Sequence, residues 1–256
     1  MYTVGKLRDY SAPYAGITDS TYRMWEITSR RMADQPVVAI TSQVADLYYK
    51  SALKDWAKST LKTRLGYLSS MWNIGIEKGI IPNFNPWSKM GSRLEYSKKV
   101  YTPKNFEAFS TFHEDPLFNG LWWHGFRVNE LAGVQQGDFV LDTDVPYINI
   151  AHNDVRGIKN RYSTRMVPIH PEFVPYVTNW EYTSNPKAGD NWSRKFKHHT
   201  GTSAHGLRHM FINRMRKAGI EYSIAMKIVG HKCQGQTGDY GDIELMDMLN
   251  ELQKLR

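Results

Sequence analysis

The alternation of apolar and polar positions divides the chain into a helical first part and a mixed second part. Thr18-Asp19-Ser20 offers capping oxygens, and Tyr22, Trp25, Ser29 and Met32 then share one face, which predicts a first helix over roughly 19–34. Pro36 interrupts it. Thr41 caps a second helix with Val44, Leu47 and Tyr48 as its apolar face, and a third begins at Ser59, where Leu61, Leu65, Leu68 and Trp72 repeat at helical spacing. Gly79 stands where that helix needs a C-cap, and Asn85-Pro86 closes the segment. Thr102-Pro103 pairs a cap with proline at the first helical position and so opens a second block. There Phe106, Phe109 and Phe112 give an apolar face, and a helix is expected across 117–131. Three strand-like runs follow: Phe139-Val140-Leu141, Tyr147-Ile148-Asn149-Ile150, and Thr164 to Ile169. The segment 179–204 is polar, with Trp192 and Phe196 as packing anchors of a short helix. At the end of the chain Ile243, Met246, Leu249, Leu252 and Leu255 recur at steps of three on a final helix, and Leu245 broadens its apolar side. The expected fold class is therefore mainly α with a small β-sheet (α+β), in two domains.

Length and composition change this picture only a little. A chain of 256 residues can form one large or two modest domains, each with a core. Its 41% hydrophobic and 23% charged residues are those of a globular protein, which excludes a disordered tail. The single cysteine, Cys233, excludes an internal disulfide and any multi-cysteine zinc site. Met1 to Ser20 has no apolar run and no later segment approaches a membrane span, so a cytoplasmic location is expected.

Charge is more informative. The net charge of +8 suits a nucleic-acid partner, although it suits an anionic membrane surface too. From Lys50 to Lys99 ten basic residues face only Asp55, Glu77 and Glu95, so nearly the whole excess lies there. Lys50, Lys54, Lys58 and Lys62 recur every four residues, and on a continuous helix they would track a phosphate backbone; the plainer alternative is a solvated lysine face.

The residues with chemistry cluster later, in His205-Gly206-Leu207-Arg208-His209, Val229-Gly230-His231 and Gly238-Asp239-Tyr240. Arg208 lies three positions after His205, His231 twenty-three after Arg208, and Tyr240 nine after His231. Upstream stands Gly125-Phe126-Arg127-Val128-Asn129-Glu130-Leu131. These motifs and intervals resemble the tyrosine recombinase family, in which an H-x-x-R pair opens a helix, a short helix ends in Leu-Gly-His, and the nucleophilic Tyr follows nine residues on. Val229 for Leu, Gly206 for a frequent Asp and Phe126 for Leu are departures that remove no reacting group. The residue types suit the reaction, because a guanidinium stays charged and donates two parallel hydrogen bonds to a phosphate on which charge accumulates.

The resemblance implies a site-specific DNA recombinase of the integrase type, from a phage or other mobile element, working through a covalent 3′-phosphotyrosine. Tyr240 would be the nucleophile, Arg127 and Arg208 the phosphate ligands, and Lys159 in the loop between the second and third strands the acid for the departing 5′-hydroxyl, with Arg161 or Arg156 as alternatives. His205 would assist proton transfer from Tyr240 and His231 would hydrogen-bond the phosphate. The ester conserves the bond's free energy, so no cofactor, ATP or metal is implied. His205 and His209 have the spacing of a helical metal pair, but no third ligand matches. Residues 1–88 would be a helical core-binding domain, 89–101 a basic linker, and 102–256 the catalytic domain with a C-terminal oligomerisation helix. There is no room for an arm-binding domain before Thr18. Lys50, Lys54, Lys58, Lys62, Arg64, Lys98 and Lys99 would contact double-stranded DNA. The partners implied are that duplex, a homo-oligomer (a tetramer on paired sites) joined through the final helix, and DNA-bending accessory proteins, with no membrane. Two other classes stay open: a DNA-binding regulator without catalysis, with Ala218-Gly219-Ile220 as a helix-turn-helix turn, and a type IB topoisomerase-like strand-passage enzyme. Trp122-Trp123-His124 carries no functional reading beyond core packing.

Overall fold

In a computed structural model of the chain, residues 1–95, 107–158, 163–231 and 243–255 are described. The chain divides into two compact units, Met1–Lys99 and Val100–Arg256. Among the described residues no helix is long and apolar enough to cross a membrane.

The first unit holds α1 (Val4–Ala15), α2 (Asp19–Ser29), α3 (Ser42–Asp55) and α4 (Lys58–Glu77). The hydrophobic pattern does not predict α1. Thr3 caps it by accepting the Lys6 amide, and its buried side is Val4, Leu7, Ser11 and Ala12, a face with only two sizeable apolar residues. The caps Thr18 and Thr41 stand as expected, but α2 ends at Ser29 and a 3₁₀ turn, Arg30–Met32, completes the segment. Leu61, Leu65, Leu68 and Trp72 of α4 are all buried, and Gly79 follows in the left-handed region. Asn85 ends the segment by accepting the Trp87 amide and donating to the Ser69 carbonyl. On α3 the expected apolar face holds at Val44 and Tyr48, which pack on the core beside buried Ala45 and Ala52, and is corrected at Leu47, which is 67% exposed. The lysine stripe is corrected too. Trp56 is extended (φ −128°, ψ 142°), which breaks the helix and leaves Lys50 and Lys54 on α3 and Lys58 and Lys62 on α4.

The second unit opens with a 3₁₀ segment, Glu107–Phe112, that buries Phe109 and Phe112. It continues through α5 (Pro116–His124), α6 (Val128–Ala132), β1 (Phe139–Val140), β2 (Tyr147–Ile150), β3 (Arg165–Pro168), α7 (Val174–Val177), α8 (Ala188–Thr200), α9 (His205–Lys217), α10 (Tyr222–Val229) and α11 (Leu245–Leu252). The strands form an antiparallel sheet in the order β1-β2-β3, with Ile148 opposite Val167 and Ile150 opposite Arg165. One helix across 117–131 is not what forms. Gly125 ends α5 in the left-handed region at φ +63°, and a Cβ there would lie 2.2 Å from Phe211 Cδ1, so only glycine fits this bend.

The helix after Ala218-Gly219-Ile220, α10, buries Ile224, Ala225, Met226, Ile228 and Val229 and exposes Tyr222 and Lys227. Of the final helix, Met248, Leu252 and Leu255 join the core of their own unit, where α11 packs on β3 and α10, and Met246 is exposed. Helical geometry decides this, since 248, 252 and 255 follow the i, i+4, i+7 stripe and a strict step of three drifts off it.

Candidate active site

The site is built around the C-terminal end of α10. The last carbonyls of a helix lack intrahelical donors and carry the negative end of its dipole, and here three consecutive ones each accept from a different arginine. Arg165 Nε donates to Ile228 O (2.7 Å), Arg208 Nη2 to Val229 O, and Arg127 Nη2 to Gly230 O (3.4 Å). Gly230 takes φ +65°, and a Cβ on it would lie 2.8 Å from Arg165 Nη1. His231 follows directly, its amide donating to Met226 O (3.0 Å).

Each arginine is delivered by a different element. Arg127 is the N-cap residue of α6; its amide donates to Glu130 Oε2 (3.0 Å), while Nη1 reaches Glu130 Oε1 and Ser163 Oγ. Arg165 enters from β3 in phase with Val167 and also donates to Ser163 O (2.7 Å) and Glu130 Oε2 (3.0 Å). Arg208 lies on the buried face of α9 with Leu207, Phe211 and Met215, only 2% exposed, and its Nη1 donates to Gly125 O (2.7 Å).

The charges do not cancel locally. Glu130 is ion-paired to both Arg127 and Arg165; burial alone would raise its carboxyl, but those cations bring it below the usual carboxylate range. Arg208 has no carboxylate partner among the described residues, and its Nε is buried without an acceptor. Burial, with Arg127 nearby, pushes its guanidinium down to about 9. Loss of solvent and the charges of Arg208, Arg127 and Arg165 lower the His231 imidazole to about 4, so it is neutral at pH 7. Beside Arg127 opens a cleft of about 670 Å³, which His205, Arg194 and Lys197 also line.

No protein-family model matches the sequence, and no curated protein does either. Solved structures do. The Tn1549 transposon integrase in complex with circular intermediate DNA superposes with a TM-score of 0.69 at 18% identity, over 91% of this chain and 93% of that one. A lambda integrase dimer bound to a COC′ core site gives 0.69 at 16% identity, over 95% and 100%. A lambda integrase tetramer bound to a Holliday junction gives 0.68 at 15% identity, over 94% and 81%. This chain has the fold of the tyrosine recombinase integrases.

Within the integrase fold, the H-x-x-R pair opens α9 and the Val-Gly-His turn ends α10. Arg127, Arg208 and His231 meet at that turn, and His205 stands at the start of α9 and on the cleft wall. Lys159, Arg161 and Tyr240 lie outside the described residues, as do Lys98 and Lys99. Arg156 is excluded as a substitute for Lys159, because it is 1% exposed and committed to the carbonyls of Ala151, Glu130 and Asn149 and to Asp138. In the first unit Lys50, Lys54, Lys58 and Lys62 are exposed. Arg64 is half-buried, its guanidinium 4.1 Å over the Trp56 ring and donating to Thr28 Oγ1. Motif spacing assigns no role to Glu130 and does not reach Arg165. The signal for Arg165 is nonetheless present, since a charged residue on a strand in phase with Val167 and Ile169 faces inward and needs partners there. Trp122 and Trp123 sandwich Arg214, with its Cζ 4.5 and 4.8 Å from the two rings, and His124 is buried; their role is packing.

Proposed function

We propose that this protein is a site-specific DNA recombinase that cleaves and rejoins duplex DNA through a 3′-phosphotyrosine. Tyr240 Oη attacks the scissile phosphorus, the bond to the 5′-oxygen breaks, and that oxygen leaves with a proton from Lys159. His205 assists proton removal from Tyr240. Arg127 and Arg208 neutralise the non-bridging oxygens, and His231, neutral at working pH, donates a hydrogen bond to one of them. Rejoining is the reverse attack by a 5′-hydroxyl.

The observation that carries this reading is Arg208. A cation 2% exposed, with no ion pair among the described residues, only the more distant Glu130 opposing it, and an Nε–H without an acceptor there, is costly to bury, and an arriving phosphate diester supplies the missing negative charge. Arg127 at the same helix end supplies a second fork, with about a fifth of its side chain open to solvent. The three integrase structures compared above are complexes with core-site DNA, circular-intermediate DNA and a Holliday junction, which supports duplex DNA as substrate and a homo-oligomer on paired sites as the working form. In this reading residues 1–88 form the core-binding domain, 89–101 the linker and 102–256 the catalytic domain, and the two lysine pairs on α3 and α4 contact backbone phosphates.

The test is a nicked duplex whose cleaved fragment diffuses away and so traps the covalent complex. Adduct that maps to Tyr240 and disappears in Tyr240→Phe, with DNA binding retained, is the expected result. Adduct persisting in Tyr240→Phe moves the nucleophile elsewhere, and binding without any adduct makes the protein a DNA-binding regulator. Relaxation of a plasmid that lacks any site would instead indicate the topoisomerase-like activity.

A further inference from the structure

We propose that Arg165 is a positioning residue that holds the two halves of the phosphate site in register, Arg127 on one side and the turn carrying His231 on the other; this rests on the functional reading above. Arg165 is too enclosed to touch DNA itself. Its side chain is 4% exposed, and its guanidinium carbon sits 5.5 Å from the Phe126 ring centre. Its donors instead divide between the two halves. Nη2 holds Glu130 Oε2, and the same carboxylate fixes Arg127 through the backbone amide and Nη1. Nε holds Ile228 O, the first of the three carbonyls whose successors receive Arg208 and Arg127. Nη1 holds Ser163 O, and the hydroxyl of Ser163 accepts from Arg127. One rigid planar group therefore links α6, β3 and the end of α10. Lysine cannot reproduce this, because its single ammonium cannot reach acceptors set in three directions by a planar fork.

The absence of a Cβ at Gly230 belongs to the same device. The three nearest atoms to a Cβ built there are Arg165 Nη1, Cζ and Nε, at 2.8, 2.9 and 3.1 Å. Gly230→Ala would push on the same guanidinium from the opposite side, and at φ +65° would also strain the turn.

The experiment compares Arg165→Lys, Arg165→Met and Gly230→Ala with wild type in urea stability, DNA affinity, single-turnover cleavage across pH, and the NMR titration of the His231 imidazole. For a positioning role, cleavage per folded molecule falls about 10- to 100-fold in all three, the range that outer-shell partners command at metal sites, while affinity stays within about threefold. The Lys variant fails to rescue although it keeps the charge, and the His231 titration moves in it because the turn is no longer tied; in Arg165→Met the lost cation moves that titration by itself. Full rescue by Lys, or a loss of stability with cleavage per folded molecule and the His231 titration unchanged, overturns the proposal. If Arg165→Met does not fold, the Lys and Gly230 variants decide. If wild type forms no adduct, the functional reading fails, and the imidazole titration of the charge-conserving Arg165→Lys still judges Arg165: movement there supports the positioning, a fixed value refutes it.

Discussion

The two units bury polar groups of different kinds. In the first the buried polar residues are Ser11, Thr28 and Ser29, small hydroxyls that donate to the carbonyls of Met71, Met24 and Trp25. In the second they include Glu130, Arg156, Arg165 and Arg208. A hydroxyl bonded to a helix carbonyl costs little to enclose, whereas a buried charge costs several kcal/mol unless paired. The contrast sharpens within the second unit. Arg156 is matched by Asp138 and three carbonyls, which makes it a structural clamp. Among the described residues Arg208 is bonded to carbonyls only, and Glu130 acts on it without pairing. Buried charge alone does not mark the site; buried charge left unmatched does.

The largest effect expected concerns α11. Removing 243–256 takes Met248, Leu252 and Leu255 out of the core of the second unit, and the protein should lose its cooperative transition by circular dichroism. A soluble, folded truncation would restore docking on a neighbour. The graded version, Leu252→Ala, should cost about 2–5 kcal/mol in urea, as should Leu68→Ala in the first unit, because both side chains are fully buried.

Arg156→Met should cost about 3–5 kcal/mol, since it leaves Asp138 and three carbonyls in the interior without their donor. A loss under about 1 kcal/mol would erase the distinction between clamp and site.

The pH dependence is smaller. His124 is fully enclosed and its imidazole is lowered to about 3 by burial. The unfolded chain therefore takes up a proton near pH 6.5 that the folded chain refuses until about 3, so stability is complete above 6.5 and falls as pH drops between those values. Between pH 6.5 and 5 the share of the loss due to His124 should be about 2 kcal/mol, and His124→Phe should remove that share while the lowered His231 imidazole keeps its own. An unchanged slope would assign the acid sensitivity to other groups.

The smallest effect tests the broken lysine stripe. Substituting Lys50 with Lys54, or Lys58 with Lys62, should each flatten the salt dependence of DNA binding, the slope of log K against log salt becoming shallower by about 0.9 for every phosphate that is no longer neutralised. Equal flattening by both pairs would mean that the two helices share the duplex. Flattening by one pair alone would confine DNA binding to one helix.

Much of this architecture is legible in the sequence, and the reasons are specific. The stripe Leu61, Leu65, Leu68 and Trp72 is large, apolar and regular, so it announces α4; α1 escapes because two of its four buried positions are Ser11 and Ala12. The strands show through alternation. Gly125 reads as part of a motif, which hides its left-handed bend and merges α5 and α6 into one helix. For the site, spacing locates Arg127, Arg208, His205 and His231. It cannot show that Arg165 binds Glu130 and the α10 end, because those contacts join residues 35 and 63 positions apart. Nor can periodicity say that the final helix folds onto its own unit, since an apolar stripe reads the same whichever surface covers it.

The most direct measurement compares Arg208→Lys with Arg156→Lys, scoring urea stability, duplex affinity and single-turnover cleavage for each. For Arg208→Lys the expected result is stability within about 1 kcal/mol of wild type, affinity within a few-fold, and cleavage down by roughly 10²-fold or more, the loss typical of a donor that acts on the transition state. For Arg156→Lys it is the reverse, a large stability loss with cleavage per folded molecule retained. If Arg208→Lys instead loses several kcal/mol of stability, or loses binding and cleavage in equal measure, Arg208 is a clamp or an ordinary backbone contact and the unmatched buried charge does not mark a phosphate site.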